Sequence, residues 1–204
     1  MNKEIEFGIK ASFSFPLQSN TSKKEVLIGA ALLLIPIWGW IANLGHRIIY
    51  THKLLKGEPP FPSWSDFGNI TKHGLVTLAG MVLYHSPASC VLFLYRQYSH
   101  PALLILGIVL WIMGTLLVPG YMTRYCIAFD WRVIPKPLDC LKAILKMGSY
   151  YWRAWAFVLS AMAISFLGLL GFGLGFLITS VWFWQVAAYS FTSAYLKSKA
   201  LADL

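Results

Sequence analysis

The sequence predicts an all-α fold, a polytopic bundle of transmembrane helices, and three observations carry that reading. Of 204 residues, 57% are hydrophobic and only 12% are charged, whereas a soluble domain carries about 25% charged residues. Mean hydropathy is +0.61. The apolar residues also fall in runs near the roughly 20 residues that a helix needs to cross a bilayer. A water-soluble body of this size needs far more charge to cover its surface.

Five spans are expected, at about 26–45, 74–95, 101–122, 154–170 and 175–195, together forming a transmembrane domain over 26–195. A polar, interfacial leader (1–25) holds Phe13, Phe15 and Pro16, and a short tail (196–204) closes the chain. No A-x-A-like cleavage site follows the first run, so that run is expected to remain in the protein. Pro36 lies inside span one and should kink it. From Ala154 to Tyr195 there are 42 residues without a charge, too many for one helix across about 30 Å of hydrocarbon. The cluster Gly171-Phe172-Gly173-Leu174-Gly175 supplies the turn that makes two spans of them.

The net charge of +9 comes from 17 Lys+Arg against 8 Asp+Glu. In a soluble domain this would suggest nucleic acid. Here the cations lie between apolar runs, where they set orientation and meet anionic headgroups, so lipid is the expected partner and nucleic acid is not. With five crossings, the two long polar stretches and the C-terminus share one side. They carry twelve cations, while Lys3, Lys10, Lys23, Lys24 and Arg96 lie opposite. The positive-inside rule then places the C-terminus in the cytoplasm, in a prokaryotic cytoplasmic membrane. Lys23 and Lys24 pull the other way. If the leader folds back so that the first run fails to cross, the N-terminus moves inside as well.

The two polar stretches share an order. Gly45 precedes Arg47, and Pro62-x-x-x-Asp66 leads to Lys72 and Gly74; Gly120 precedes Arg124, and Pro135-x-x-x-Asp139 leads to Lys146 and Gly148. The reading is an internal repeat of span, basic exit, proline-started amphipathic helix and span, giving two cytoplasmic amphipathic helices. Leu138, Leu141, Leu145, Gly148 and Trp152 fall on one helical face of the second copy. In the first, Ser63 stands as N-cap with Asp66 three residues on.

The run Leu32 to Gly39, then Gly45-His46-Arg47, then Phe61-Pro62-Ser63-Trp64-Ser65-Asp66-Phe67 resembles a family of small polytopic membrane proteins catalogued only as a domain of unknown function. Ile28-Gly29, Pro36, Gly45, Arg47, Pro62, Trp64, Asp66, Phe67 and Gly74-Leu75 stand at that family's matching points, and Gly120-Tyr121 with Arg124-Tyr125 is similar to its second exit. Phe61, Ser63 and the single acid Asp66 depart from it. The resemblance covers nearly the whole chain. It implies a membrane fold of five or six helices and brings no reaction with it.

Ionisable groups inside hydrocarbon are the first place to look for function. His85, in Tyr84-His85-Ser86-Pro87, is the candidate intramembrane polar site, read either as a proton relay or as a donor to a carbonyl freed by Pro87. All eight acids fall in the leader, polar stretches or tail, which disfavours coupled transport. His46 and His52 lack the i, i+4 spacing of a zinc helix, the three cysteines form no CxxC pair, and no catalytic motif appears. Hence no catalytic, cofactor-binding or metal residues are expected. Two structural pairs are expected from the repeat, Arg47 with Asp66 and Arg124 with Asp139, each an arginine at a span end facing the acid that opens its amphipathic helix.

The expected function is that of an integral membrane protein without catalysis, working as a scaffold, assembly or accessory subunit with a membrane-protein partner or a second copy. A small-solute transporter or permease subunit is the alternative.

Overall fold

The structure, a computed structural model, describes residues 5–171 and 173–198. Lys3, Phe172 and the end of the expected tail, from Lys199 on, lie outside the described residues. Eight α-helices and no strand occur among those described: α1 (Ile9–Ser14), α2 (Asn20–Leu32), α3 (Trp38–Leu55), α4 (Phe67–Tyr98), α5 (Pro101–Ala128), α6 (Pro137–Met147), α7 (Ser149–Leu167) and α8 (Leu174–Lys197). Four helical stretches are long and apolar enough to cross a membrane: α4, α5, α7 with its 3-10 extension to Leu170, and α8. This is a membrane-type helical bundle.

The expected first span is where the structure departs from the sequence reading. No single helix covers 26–45. The helix stops at Leu32, the chain turns through 33–37 with Ile37 at φ +63°, and α3 begins at Trp38. Helices α2 and α3 then run back against each other: Glu25 meets His46, and Asn43 Nδ2 donates to Gly29 O at 3.0 Å and Gly39 O at 2.8 Å. At 13 residues, α2 is about 20 Å long, short of the roughly 30 Å a crossing helix needs. Pro36 does more than kink the run: it sits in the tip of a hairpin. Leu34, Ile35, Ile37, Trp38 and Trp40 around that tip are all exposed. Several of its amides are nonetheless bonded, Leu33 to Gly29 O, Ile35 to Leu32 O and Gly39 to Ile35 O, which lowers the cost of burying a turn in apolar surroundings. Gly39 lets the two legs close, because a Cβ there would stand 1.9 Å from Leu32 O.

The leader is drawn to the same end of the bundle as the long connectors. Phe7 packs edge-on against Tyr150 at the start of α7, Phe15 lies 5.3 Å from Phe61 in the α3–α4 connector, and Tyr189 donates to Glu6 O at 3.0 Å. The five-span reading put the leader opposite the connectors; here the leader contacts them.

Helix α8 is the most enclosed of the spans, with α2 and α3 packed on one side and α7 on the other. Its aromatic segment makes internal contacts, although Trp184 stays partly exposed. Trp182 Nε1 donates to Phe13 O at 3.2 Å, and Trp184 lies under Arg47. Helices α3 and α4 cross at Gly45 and Gly74, where Cβ atoms would stand 1.7 Å from Ile70 O and 2.0 Å from Ile41 O.

The two polar stretches fold differently. In the second, α6 is a separate helix, ended by Gly148 at φ +55°. In the first, Gly74 is helical and α4 runs unbroken from Phe67 to Tyr98, so no separate amphipathic helix forms. The cap of α4 is Asp66, which accepts from Asn69 N, whereas Ser63 is buried and bonds Pro60 O. On α6 the face that meets the bundle is Cys140, Ala143, Ile144 and Met147, while Leu138, Leu141 and Leu145, like Trp152 on α7, are exposed.

Candidate functional site

The polar groups of the interior gather around α3. Glu25 enters from α2 and His46 from α3, both almost fully buried, with His46 Nε2 2.7 Å from Glu25 Oε2. The connector closes over them. Ser63 N donates to Glu25 Oε2 at 3.1 Å, Trp64 Nε1 donates to Glu25 O at 3.2 Å, and the Trp64 ring stacks on His46 at 4.1 Å. The carboxyl group is thereby held by a neighbouring imidazole and a backbone amide, which offsets the cost of taking a polar group out of water. This cluster was not expected, because Glu25 reads as the end of the leader. The signal for it was present: Glu25 and His46 bracket the apolar run almost symmetrically about Pro36.

Arg47 is one residue on and points elsewhere. The structure does not bring it to Asp66. Its guanidinium carbon lies 4.6 Å from the centre of the Trp184 ring, Nη2 reaches Met122 Sδ at 3.9 Å, and Nε is buried without a partner. Only 7% of the residue is exposed. The cause is the hairpin, which places α3 inside the bundle, so that Arg47 is an interior residue of a packed helix and not the exit of a span. Asp66 remains at the exposed start of α4, where the Asn69 backbone amide, with help from its side chain, holds the carboxyl below its usual range.

The second expected pair is brought together: Arg124 Nη2 lies 3.7 Å from Asp139 Oδ2. His85 Nδ1 donates to Met81 O at 2.8 Å and Nε2 lies 3.1 Å from Thr115 Oγ1, bridging α4 and α5 beside the Trp111 ring. The other histidines are engaged in the same way. His52 bonds Cys126 O, His73 bonds the Tyr125 hydroxyl at 2.7 Å, and His100 caps α5 through Ala102 N.

A cavity of about 290 Å³ lies between α3, α4, α5, α7 and α8. Arg47 and Thr51 stand in its wall with His85 and Thr115, and Met122, Trp155, Met162 and Phe183 are among its mainly apolar lining. No group of three or more His, Cys, Asp or Glu suited to a metal ion occurs among the described residues.

Comparison of the chain with models of protein families, with curated proteins and with solved structures returns no match.

Proposed function

We propose that this chain is a non-catalytic component of a membrane complex, an assembly, scaffold or accessory subunit that crosses the cytoplasmic membrane four times and dips into it once. The observation that carries the reading is the engagement of the histidines. All five of them, the side chains best suited to proton transfer near neutral pH, are bonded to groups that hold helices or caps together. Glu25, the carboxylate drawn into the interior, is likewise taken up by His46 and the Ser63 amide. Chemistry-bearing groups used in this way support a role in assembly.

The hairpin supports an orientation. When α2 and α3 enter and leave on one side, the leader, both long connectors and the C-terminus share that side. Lys10, Lys23 and Lys24 then join the other cations, and among the described residues Arg96 is the single Lys or Arg on the opposite side. The positive-inside rule makes the cation-rich side cytoplasmic. There the exposed leucines of α6, with Lys136 and Lys142 beside them, suit an interface of acyl chains and anionic headgroups.

Purification in mild detergent tests the function. Reproducible co-purification of defined membrane proteins supports the subunit reading. A chain that travels alone, and that moves a solute across liposomes by itself, supports a permease instead.

A further inference from the structure

The cavity contains a cation without a counter-ion among the described residues. We infer that it is a binding site for a single-chain anionic amphiphile, with the acidic head on Arg47 and the chain among the methionines and aromatic rings of α5, α7 and α8. Three observations converge. The Arg47 guanidinium is buried, has no carboxylate against it, and leaves Nε unpartnered, while its remaining contacts are a thioether sulfur and the face of Trp184. Thr51 Oγ1, one turn further along α3 in the same wall, is also buried without a partner. Beyond these two groups the lining is largely hydrocarbon, thioether and aromatic carbon.

A buried charge is retained in proteins when it is paired, and a guanidinium fork fits the two oxygens of a carboxylate or phosphate. The ligand therefore supplies the missing acid. Its size follows from the space: about 290 Å³ stands at the lower end of ligand sites, which run from about 300 to 1,000 Å³. One chain fits and a two-chain phospholipid does not. Its route follows from the wall. Leu159 and Met162 line the cavity from α7 and are also exposed on the outside of the bundle, so the chain can enter from the acyl region. Arg47 lies level with Met122, six residues before the end of α5, which places the head toward the side of the connectors.

The test uses the whole chain in detergent with radiolabelled palmitate as the probe. Saturable binding is expected, displaced by unlabelled palmitate and not by methyl palmitate, which keeps the chain and lacks the charge. Competition by hexadecyl phosphate as well means that the site reads an acidic head of either kind; failure of that competitor restricts it to carboxylates. Arg47→Gln should weaken binding at least tenfold with the helical spectrum unchanged, and Arg47→Lys should recover part of the loss. Should these variants not fold, palmitate carrying a mid-chain diazirine decides the matter on the unmodified chain. Photolabel within Thr115–Met122 of α5 and Val158–Met162 of α7 supports the site. Equal displacement by the methyl ester, or label confined to outward residues such as Val82 and Phe93, overturns it. Binding of palmitate by the lone chain is read independently of which proteins co-purify, so either inference can fail without the other.

Discussion

Glu25 and His46 are 21 positions apart in sequence and 2.7 Å apart in space, and that closure defines the hairpin. It joins the first residues of an apolar run to those just past its end. Two helices that formed one continuous crossing would hold the same residues about 30 Å apart at 1.5 Å per residue. The pair thus distinguishes a run that returns from a run that crosses.

Glu25→Ala should destabilise the protein by about 1–3 kcal/mol, the cost of leaving the buried hydrogen-bonding groups of His46 and Ser63 without their partner. Glu25→Gln, which keeps a hydrogen-bonding group for His46 and the Ser63 amide, should cost less. Thermal unfolding in detergent measures both, and equal effects would contradict the assignment of these hydrogen bonds to the hairpin's stability.

Asn43 of α3 ties the two legs of the hairpin through Gly29 O of α2, and also donates to Gly39 O within its own helix. Polar contacts between helices in membranes contribute about 0.6–2 kcal/mol, so Asn43→Leu should lower stability by that order. Hydrogen exchange should show faster exchange at 29–43 with α7 and α8 unchanged.

Gly45 and Gly74 allow α3 and α4 to cross backbone to backbone. Gly45→Leu should separate the helices and abolish a monodisperse preparation, whereas the same change at Gly8, where nothing stands within 4 Å of an added Cβ, should be tolerated. Size-exclusion profiles of the two variants check this.

Charge reversal separates the two arginines. Arg124 and Asp139 lie 3.7 Å apart with Asp139 substantially exposed, so the double variant Arg124→Asp with Asp139→Arg should recover the loss of either single change, a coupling of about 0–1 kcal/mol. Arg47→Asp with Asp66→Arg should show no recovery. A double-mutant cycle in thermal unfolding reads both.

Much of this was legible in the sequence. The glycine-rich turn after Leu170 and the last four apolar runs became helices near their expected places, because length and hydropathy alone decide whether a helix suits a bilayer. Helix ends were less legible. Helix α4 begins at Phe67 and α5 continues to Ala128, past the apolar runs, since backbone hydrogen bonding continues through Thr71, Lys72 and Arg124 whatever their polarity. The first run misled because hydropathy counts apolar residues and carries no direction. A helix with Pro36 at its centre and a hairpin with Pro36 at its tip have the same composition. The apparent repeat misled for a related reason. Gly74 and Gly148 occupy corresponding places, but one lies in a tight helix crossing and the other takes a left-handed conformation that ends α6. Arg47 was misplaced with the span it was thought to end.

The thiols also follow from burial. Cys126 and Cys140 are enclosed and Cys90 is exposed, and burial pushes the Cys140 thiol up, away from its reactive thiolate form. A maleimide added to the folded protein in detergent should modify no more than one cysteine, against three after denaturation, as counted by mass spectrometry.

The most direct test of the hairpin is the side on which the leader emerges. Single cysteines at Gln18, Glu58 and Gln97, all exposed positions, placed in a chain whose own cysteines are replaced by serine, can be labelled in intact cells with an impermeant maleimide. Gln97→Cys should label from outside, while Gln18→Cys and Glu58→Cys should label only after the membrane is opened. Labelling of Gln18→Cys together with Gln97→Cys in intact cells would mean that the first run crosses, and the account would be contradicted.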